Sequence, residues 1–269
     1  MNIRRWSVGV LAAALFVPGL AACKTGADSP TADSKSAAPA VPADPKEALV
    51  ASTEEIKKGN FTFAIKGGEF NGDGTVHMPS KSAEMKLAGG DGSAEGFSMH
   101  LVFIDTDTWL KLDFGAAMAD VPGFKEMKDK YQHLDRTKIK GAKELNFDFS
   151  DVDPAGSDKM INAITDVKKT GEGTYAGTID ATKATDSDVL DADTVKALGA
   201  KASSLPFTAK LDPQGRLTEF AVDVPAAGSA QAQKVVVTYA AYGSATAVQA
   251  PPAGRVVEAS DQVYEMFKS

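Results

Sequence analysis

Gly96-Phe97-Ser98-Met99-His100-Leu101-Val102-Phe103-Ile104 is the stretch from which the fold is read. Phe97, Met99, Leu101 and Phe103 fall at every second position, which places them on one face of a β-strand because successive side chains point to opposite sides. Asp105-Thr106-Asp107 follows as a turn, and residues 108–112, with Trp109, return as a second strand. The same alternation stands upstream, where Phe61, Phe63 and Ile65 oppose Thr62, Ala64 and Lys66. Gly72-Asp73-Gly74 breaks or tightens the next segment before residues 75–78, and residues 83–87 add a short strand with Met85 and Leu87 aligned. An antiparallel meander is expected from residue 60 to residue 112.

Outward from it the period changes. Residues 123–131 carry Phe124, Met127 and Tyr131 at helical spacing, and residues 139–149 are mixed. Asp153-Pro154 predicts a helix start, because Asp caps and Pro fixes the first turn; Met160, Ile161, Ile164 and Val167 follow on one helical face. A strand over residues 173–179 and a helix over 186–199 come next. Alternation then returns at Leu205, Phe207, Ala209 and Leu211. Asp212-Pro213-Gln214-Gly215 is a turn, and residues 217–224 and 234–239 complete a second meander before a last helix at 260–267. Strands at both ends with helices between predict an α+β fold, with seven to ten strands in an antiparallel sheet whose apolar side helices cover only in part.

The amino terminus has a different character. Arg4 and Arg5 precede an apolar run over residues 8–17 and the small residues Ala21-Ala22, the layout of an export signal too short to span a membrane, which needs about 20 apolar residues. Leu20-Ala21-Ala22-Cys23 resembles the lipobox of bacterial lipoproteins. The resemblance implies cleavage after residue 22, acylation of the Cys23 thiol with chains such as palmitate, and an anchor at the outer face of the cytoplasmic membrane. Residues 24–44, with Pro30, Pro39 and Pro42 and no apolar face, read as a tether that holds the folded part on the order of 25 Å from the membrane. The folded domain is expected at 45–269, opening on a helix capped by Asp44 with Pro45 at its first position, Leu49 and Ile56 on one face, and Gly59 at its end. The divisions are thus signal 1–22, lipidated cysteine and tether 23–44, and one domain.

Composition narrows the function classes. Cys23 is the chain's one cysteine, so an internal disulfide is excluded. Beyond the signal stand 27 basic against 36 acidic residues, which argues against nucleic acid as a partner, since phosphate binding needs clustered Lys and Arg. G-x-S-x-G, H-E-x-x-H, Walker and G-x-G-x-x-G patterns are absent from the sequence; Gly90-Asp91-Gly92 and Gly171-Glu172-Gly173 lack the final spacing. His77, His100 and His133 are isolated in sequence, and Asn71-Gly72-Asp73-Gly74 and Asp105-Thr106-Asp107 read as turns rather than calcium loops. No catalytic residues, metal ligands or cofactor are assigned.

The order of segments resembles the LppX/LprAFG lipoproteins of actinobacteria. The resemblance is carried by the lipobox, tether and opening helix, by residues 105–112, and by Val152-Asp153-Pro154 leading toward Ile164-Thr165-Asp166-Val167. Tyr175-Ala176-Gly177-Thr178-Ile179-Asp180, Leu205-Pro206-Phe207, Leu211-Asp212-Pro213-Gln214-Gly215-Arg216-Leu217, Tyr242-Gly243 and Pro251-Pro252 add to it. It covers roughly residues 45–259 and implies a half-open, strongly curved antiparallel barrel of the LolA/LolB type with helices over the concave face. It also implies binding or transport of an acylated lipid or lipoglycan. The family's aromatic-Val-Lys strand reads Trp109-Leu110-Lys111 here, and residues 113–155 are longer and more polar than the family pattern. The expected cavity wall is Phe61, Phe63, Phe97, Met99, Leu101, Phe103, Phe207 and Phe220, with Met160 and Ile164 from a covering helix. The rival expectation is an envelope accessory protein with a filled core that binds a protein partner. An exported hydrolase would require titratable groups converging in a cleft.

Overall fold

The computed structural model describes residues 41–68, 70–89, 96–116, 121, 127–139, 142, 145–184, 192–228 and 231–267. The expected signal, Cys23 and the expected tether up to residue 40 lie outside the described residues, as do residues 123–126 and 186–191 of two expected helices and Gly90-Asp91-Gly92. Among the described residues no helix is long and apolar enough to cross a membrane.

Twelve strands form one open sheet among the described residues. They are β1 Asn60–Lys66, β2 Phe70–His77, β3 Ser82–Gly89, β4 Ser98–Ile104, β5 Asp107–Asp113, β6 Tyr131–Leu134, β7 Ile164–Gly171, β8 Thr174–Ile179, β9 Leu205–Leu211, β10 Leu217–Val224, β11 Gln233–Ala240 and β12 Val256–Glu258. The order is β12-β6-β5-β4-β3-β2-β1-β11-β10-β9-β8-β7. The first meander runs down one half and the second down the other. They join where β1 pairs antiparallel with β11, Phe63 opposite Tyr239. Only the short β12 lies parallel to its neighbour, Val256 opposite Tyr131 and Glu258 opposite His133. The α+β class with a large, mostly antiparallel sheet is therefore the observed architecture.

Register shows why one face is apolar. Phe103 stands opposite Ala83, Leu101 opposite Met85 and Leu110, and Met99 opposite Leu87 and Leu112. Phe220 stands opposite Val237 and Ala209 in the other half, and Phe207 opposite Val222. A one-residue slip in any strand would turn its apolar set to the opposite face, so burial of that face fixes the register.

Gly72 and Gly74 sit inside the continuous strand β2 rather than breaking it. The cause is packing: a Cβ on Gly74 would fall 2.6 Å from ring carbons of Phe63 on the neighbouring strand. Absence of a side chain there lets Phe63 lie across the sheet.

Helices α1 Pro45–Ser52, α2 Glu54–Lys57 and α3 Ser157–Asn162 cover the apolar face, with Leu49, Ile56, Met160 and Ile161 buried in the core. Asp44 caps α1 as expected, its Oδ1 accepting from the Lys46 and Glu47 amides at 2.9 Å. The expected single opening helix is divided at Thr53. Helix α4, Ala192–Leu198, buries Val195 and Leu198, and α5, Asp261–Glu265, buries Val263 and Tyr264.

Further expectations need correction: among the described residues the sheet has twelve strands rather than seven to ten. The helix after Asp153-Pro154 starts only at Ser157 and ends at Asn162, so Ile164 and Val167 belong to β7. Asn162 ends the helix, and β-branched Ile164, Thr165 and Val167 favour the ladder they form with β8. Tyr131, placed on a helix by spacing, opens β6 instead, where its neighbour Gln132 pairs with Leu110.

Candidate functional site

The residues expected to wall a cavity are brought to one face and into one cluster. Phe61, Phe63, Met99, Leu101, Phe103, Met160, Ile164, Phe207 and Phe220 all lie in the buried core, and Phe97 packs at its margin against Phe114 with ring centroids 5.4 Å apart. Met160 comes from α3 as expected, whereas Ile164 comes from the edge strand. Phe207 and Phe220 stack at 5.3 Å, and Phe61 meets Tyr239 edge-on at 5.5 Å. Phe61 and Met160 are 0 % exposed, and Leu101, Phe207 and Phe220 are 1 % exposed. A side chain lining a space wide enough for an acyl chain leaves area open to a water-sized sphere even inside a closed cavity. These five leave almost none, so in this conformation their surroundings are filled by other side chains.

One polar node interrupts the contact between sheet and helices. Tyr239, on the apolar face of β11, donates its hydroxyl to Ser157 Oγ at 2.8 Å. Asp153 accepts from the Ser157 amide at 3.1 Å and the Asp158 amide at 2.8 Å, which caps α3 from four residues upstream across Gly156. Burial pushes the Asp153 carboxyl up to about 6, and the two amide bonds only partly oppose it. The same burial raises the Tyr239 hydroxyl well above its ordinary value. On the α2 side, Thr53 Oγ1 donates to Asp158 at 2.9 Å and Lys57 pairs with the same carboxylate at 3.2 Å.

The opposite face of the sheet holds two clefts that share His100. The first, of about 480 Å³, lies over β1 to β5 and is lined by Lys66, Asn71, Asp73, Lys86, Lys111 and Asp113 among others. The second, of about 470 Å³, lies between Thr62, Thr75, Glu84, His100, Val102 and Tyr131 and the chain at residues 246–252. That segment is a strap crossing the sheet from β11 toward β12, tied by Ala245 N–H to Asn60 Oδ1 and by Val248 N–H to Ser82 Oγ, both at 3.0 Å.

Histidines isolated in the sequence have partners here. His100 Nε2 donates to Glu84 at 3.1 Å, and its Nδ1 accepts from the Tyr131 hydroxyl at 3.0 Å. Burial holds this imidazole below its ordinary pKa against the raising effect of Glu84, which favours the neutral tautomer with its proton on Nε2. His133 contacts Asp107 through Nε2 and Glu258 through Nδ1, both at 3.1 Å. Burial pulls its pKa down, but the bonds to Asp107 and Glu258 outweigh that and leave it raised. Among the described residues no group of three His, Cys, Asp or Glu side chains is placed to hold a metal ion.

No protein-family model and no curated protein matches this chain. The partners of His100 lie 16 and 31 residues away on other strands, so no local motif signals them. Pairing of β3 with β4 and placement of β6 beside β5 bring them together.

Proposed function

We propose that the chain is an exported lipoprotein of LppX/LprAFG type with a LolA/LolB-like, half-open curved sheet, anchored through Cys23 to the outer face of the cytoplasmic membrane. Its apolar sheet face takes up the acyl chains of a lipid or lipoglycan, without catalysis. The observation that carries this reading is the cover on that face: three short helices of eight, four and six residues over one continuous apolar surface. Helices this short have little stability of their own and hold their place by packing. Polar ties to the cover include Lys46 Nζ donating to the Ile164 carbonyl at 2.9 Å and the Tyr239 hydroxyl donating to Ser157. Loading requires the cover to lift, after which each acyl methylene leaving water contributes about 0.8 kcal/mol.

A second reading has a specific observation in its favour. The near-zero exposure of Phe61, Leu101, Met160, Phe207 and Phe220 describes a filled interior, which suits an envelope accessory protein that binds a protein partner. Native mass spectrometry of the mature protein, purified from a lipid-containing host, separates the two. Adducts of lipid mass beyond the Cys23 anchor are expected for the carrier. Absence of adducts, both as purified and after lipid is added, overturns it in favour of the accessory protein.

A further inference from the structure

We propose that the cleft under the strap at residues 246–252 is a binding site for a small, neutral, hydroxyl-rich ligand of the size of one or two sugar rings. It lies on the face of the sheet opposite the helical cover, so it is independent of the acyl-chain reading. Its volume of about 470 Å³ falls within the range of small-molecule pockets, about 300 to 1,000 Å³.

The lining selects the chemistry. Glu84 is the one charged side chain among the described residues lining it; Lys86, paired with it at 3.6 Å, lies outside the lining, so the charge facing a ligand is an acid's and opposes phosphate and carboxylate. A bare acyl chain would cover Glu84, His100, Tyr131, Thr62 and Thr75 without offering them hydrogen bonds, which costs free energy for each group stripped of water. Sugar hydroxyls meet the inventory instead. Glu84 binds His100 through Oε2, which leaves Oε1 to accept. The Tyr131 hydroxyl gives its proton to His100 Nδ1 and keeps lone pairs for a ligand hydroxyl. Thr62 and Thr75 both donate and accept. Val102, 3 % exposed although it points to this face, supplies an apolar floor, and Pro251 and Pro252 an apolar rim, for the C–H faces of a ring. The polar wall is pre-organised, because the Glu84–His100–Tyr131 chain fixes three side chains from three strands before a ligand arrives. Across the cleft, Val248 ties the strap to the sheet through Ser82.

The test is saturation-transfer NMR on the full lipoprotein in a sugar-free detergent, with glucose, mannose, galactose, maltose and trehalose as probes, and 31P line broadening of inorganic phosphate as the counter-probe. Transfer to ring protons of at least one sugar is expected, with no phosphate binding. Glu84→Gln and Tyr131→Phe should each weaken that sugar about tenfold, the effect of losing one hydrogen bond to a part-buried group. Gln249→Ala, on the exposed strap and outside the sheet, keeps the test valid if the other two variants misfold; a weakening of a few fold is expected from it. Absence of transfer to every sugar overturns the proposal. So does sugar binding that all folded variants retain in full, and so does phosphate binding that Glu84→Gln strengthens.

Discussion

Asp153→Asn should remove part of the pH dependence of this protein's stability. The Asp153 carboxyl ionises at about 6 in the folded chain against an ordinary 3.8, because burial disfavours its charge. The unfolded chain therefore releases this proton at lower pH than the folded chain does. Stability from this group is greatest when the carboxyl is protonated in both states and falls as pH rises from the unfolded value to the folded one. Between about pH 4.5 and about pH 7.5 the loss integrates to about 2 kcal/mol, since each tenfold change in an ionisation constant is worth about 1.4 kcal/mol. Asn resembles the protonated acid: it keeps an acceptor for one of the Ser157 and Asp158 amides and cannot ionise. Urea denaturation of both proteins at the two pH values measures the difference between them, which cancels every other titrating group. The variant should gain about 2 kcal/mol on the wild type as pH rises across that interval. Parallel stability curves would refute this expectation, and with it the claim that packing under α3 disfavours the charge on Asp153. Any motion of α3 that returns Asp153 to water recovers the same free energy, so the result also measures how strongly pH biases the cover toward lifting.

Phe207→Ala should destabilise the domain by about 4 kcal/mol, because a fully buried ring stacked on Phe220 leaves a void that the sheet cannot close; thermal and urea unfolding measure it, and a loss under about 1 kcal/mol would show that the core is not packed there. His133, held between Asp107 and Glu258, has a folded pKa above 6.5. Its stabilising contribution is full below that ordinary value and is lost as pH rises through the folded pKa. An NMR titration of its ring protons should therefore have a midpoint above 6.5, which Glu258→Gln moves down; a wild-type midpoint at or below 6.5 contradicts the geometry.

The two meanders were legible because alternation is a local signal. Phe97 to Phe103 and Leu205 to Leu211 announce both the strand and the face it buries, and burial then fixes register. Signals failed where tertiary contact decides. Met160, Ile161, Ile164 and Val167 have helical spacing, yet the last two pair with Ile179 and Gly177 of β8. Spacing alone cannot report a partner strand that supplies a ladder. The strand β12 escapes sequence reading for the same reason: three residues after a 15-residue connection carry no periodicity, and β6 gives them their place.

The contrast is sharper for the candidate sites. The residues of the apolar cluster on β1, β4, β9 and β10 were identifiable because being apolar at alternate positions is a property of one strand. A polar site on the other face is a property of several. Along β4, Met99, Leu101 and Phe103 face the core while His100 and Val102 point to the strap, so a single strand serves both sites through its two faces. Read along the chain, His100 is a lone histidine between apolar neighbours. Its meaning depends on Glu84, from the strand before, and on Tyr131, which reaches it only because β6 pairs with β5. The strap adds a third dependence, since it crosses this face only because β12 must return to the side of β6. A cleft built this way has no sequence motif to find, and the absence of familiar catalytic spacings in the chain carries little weight against it.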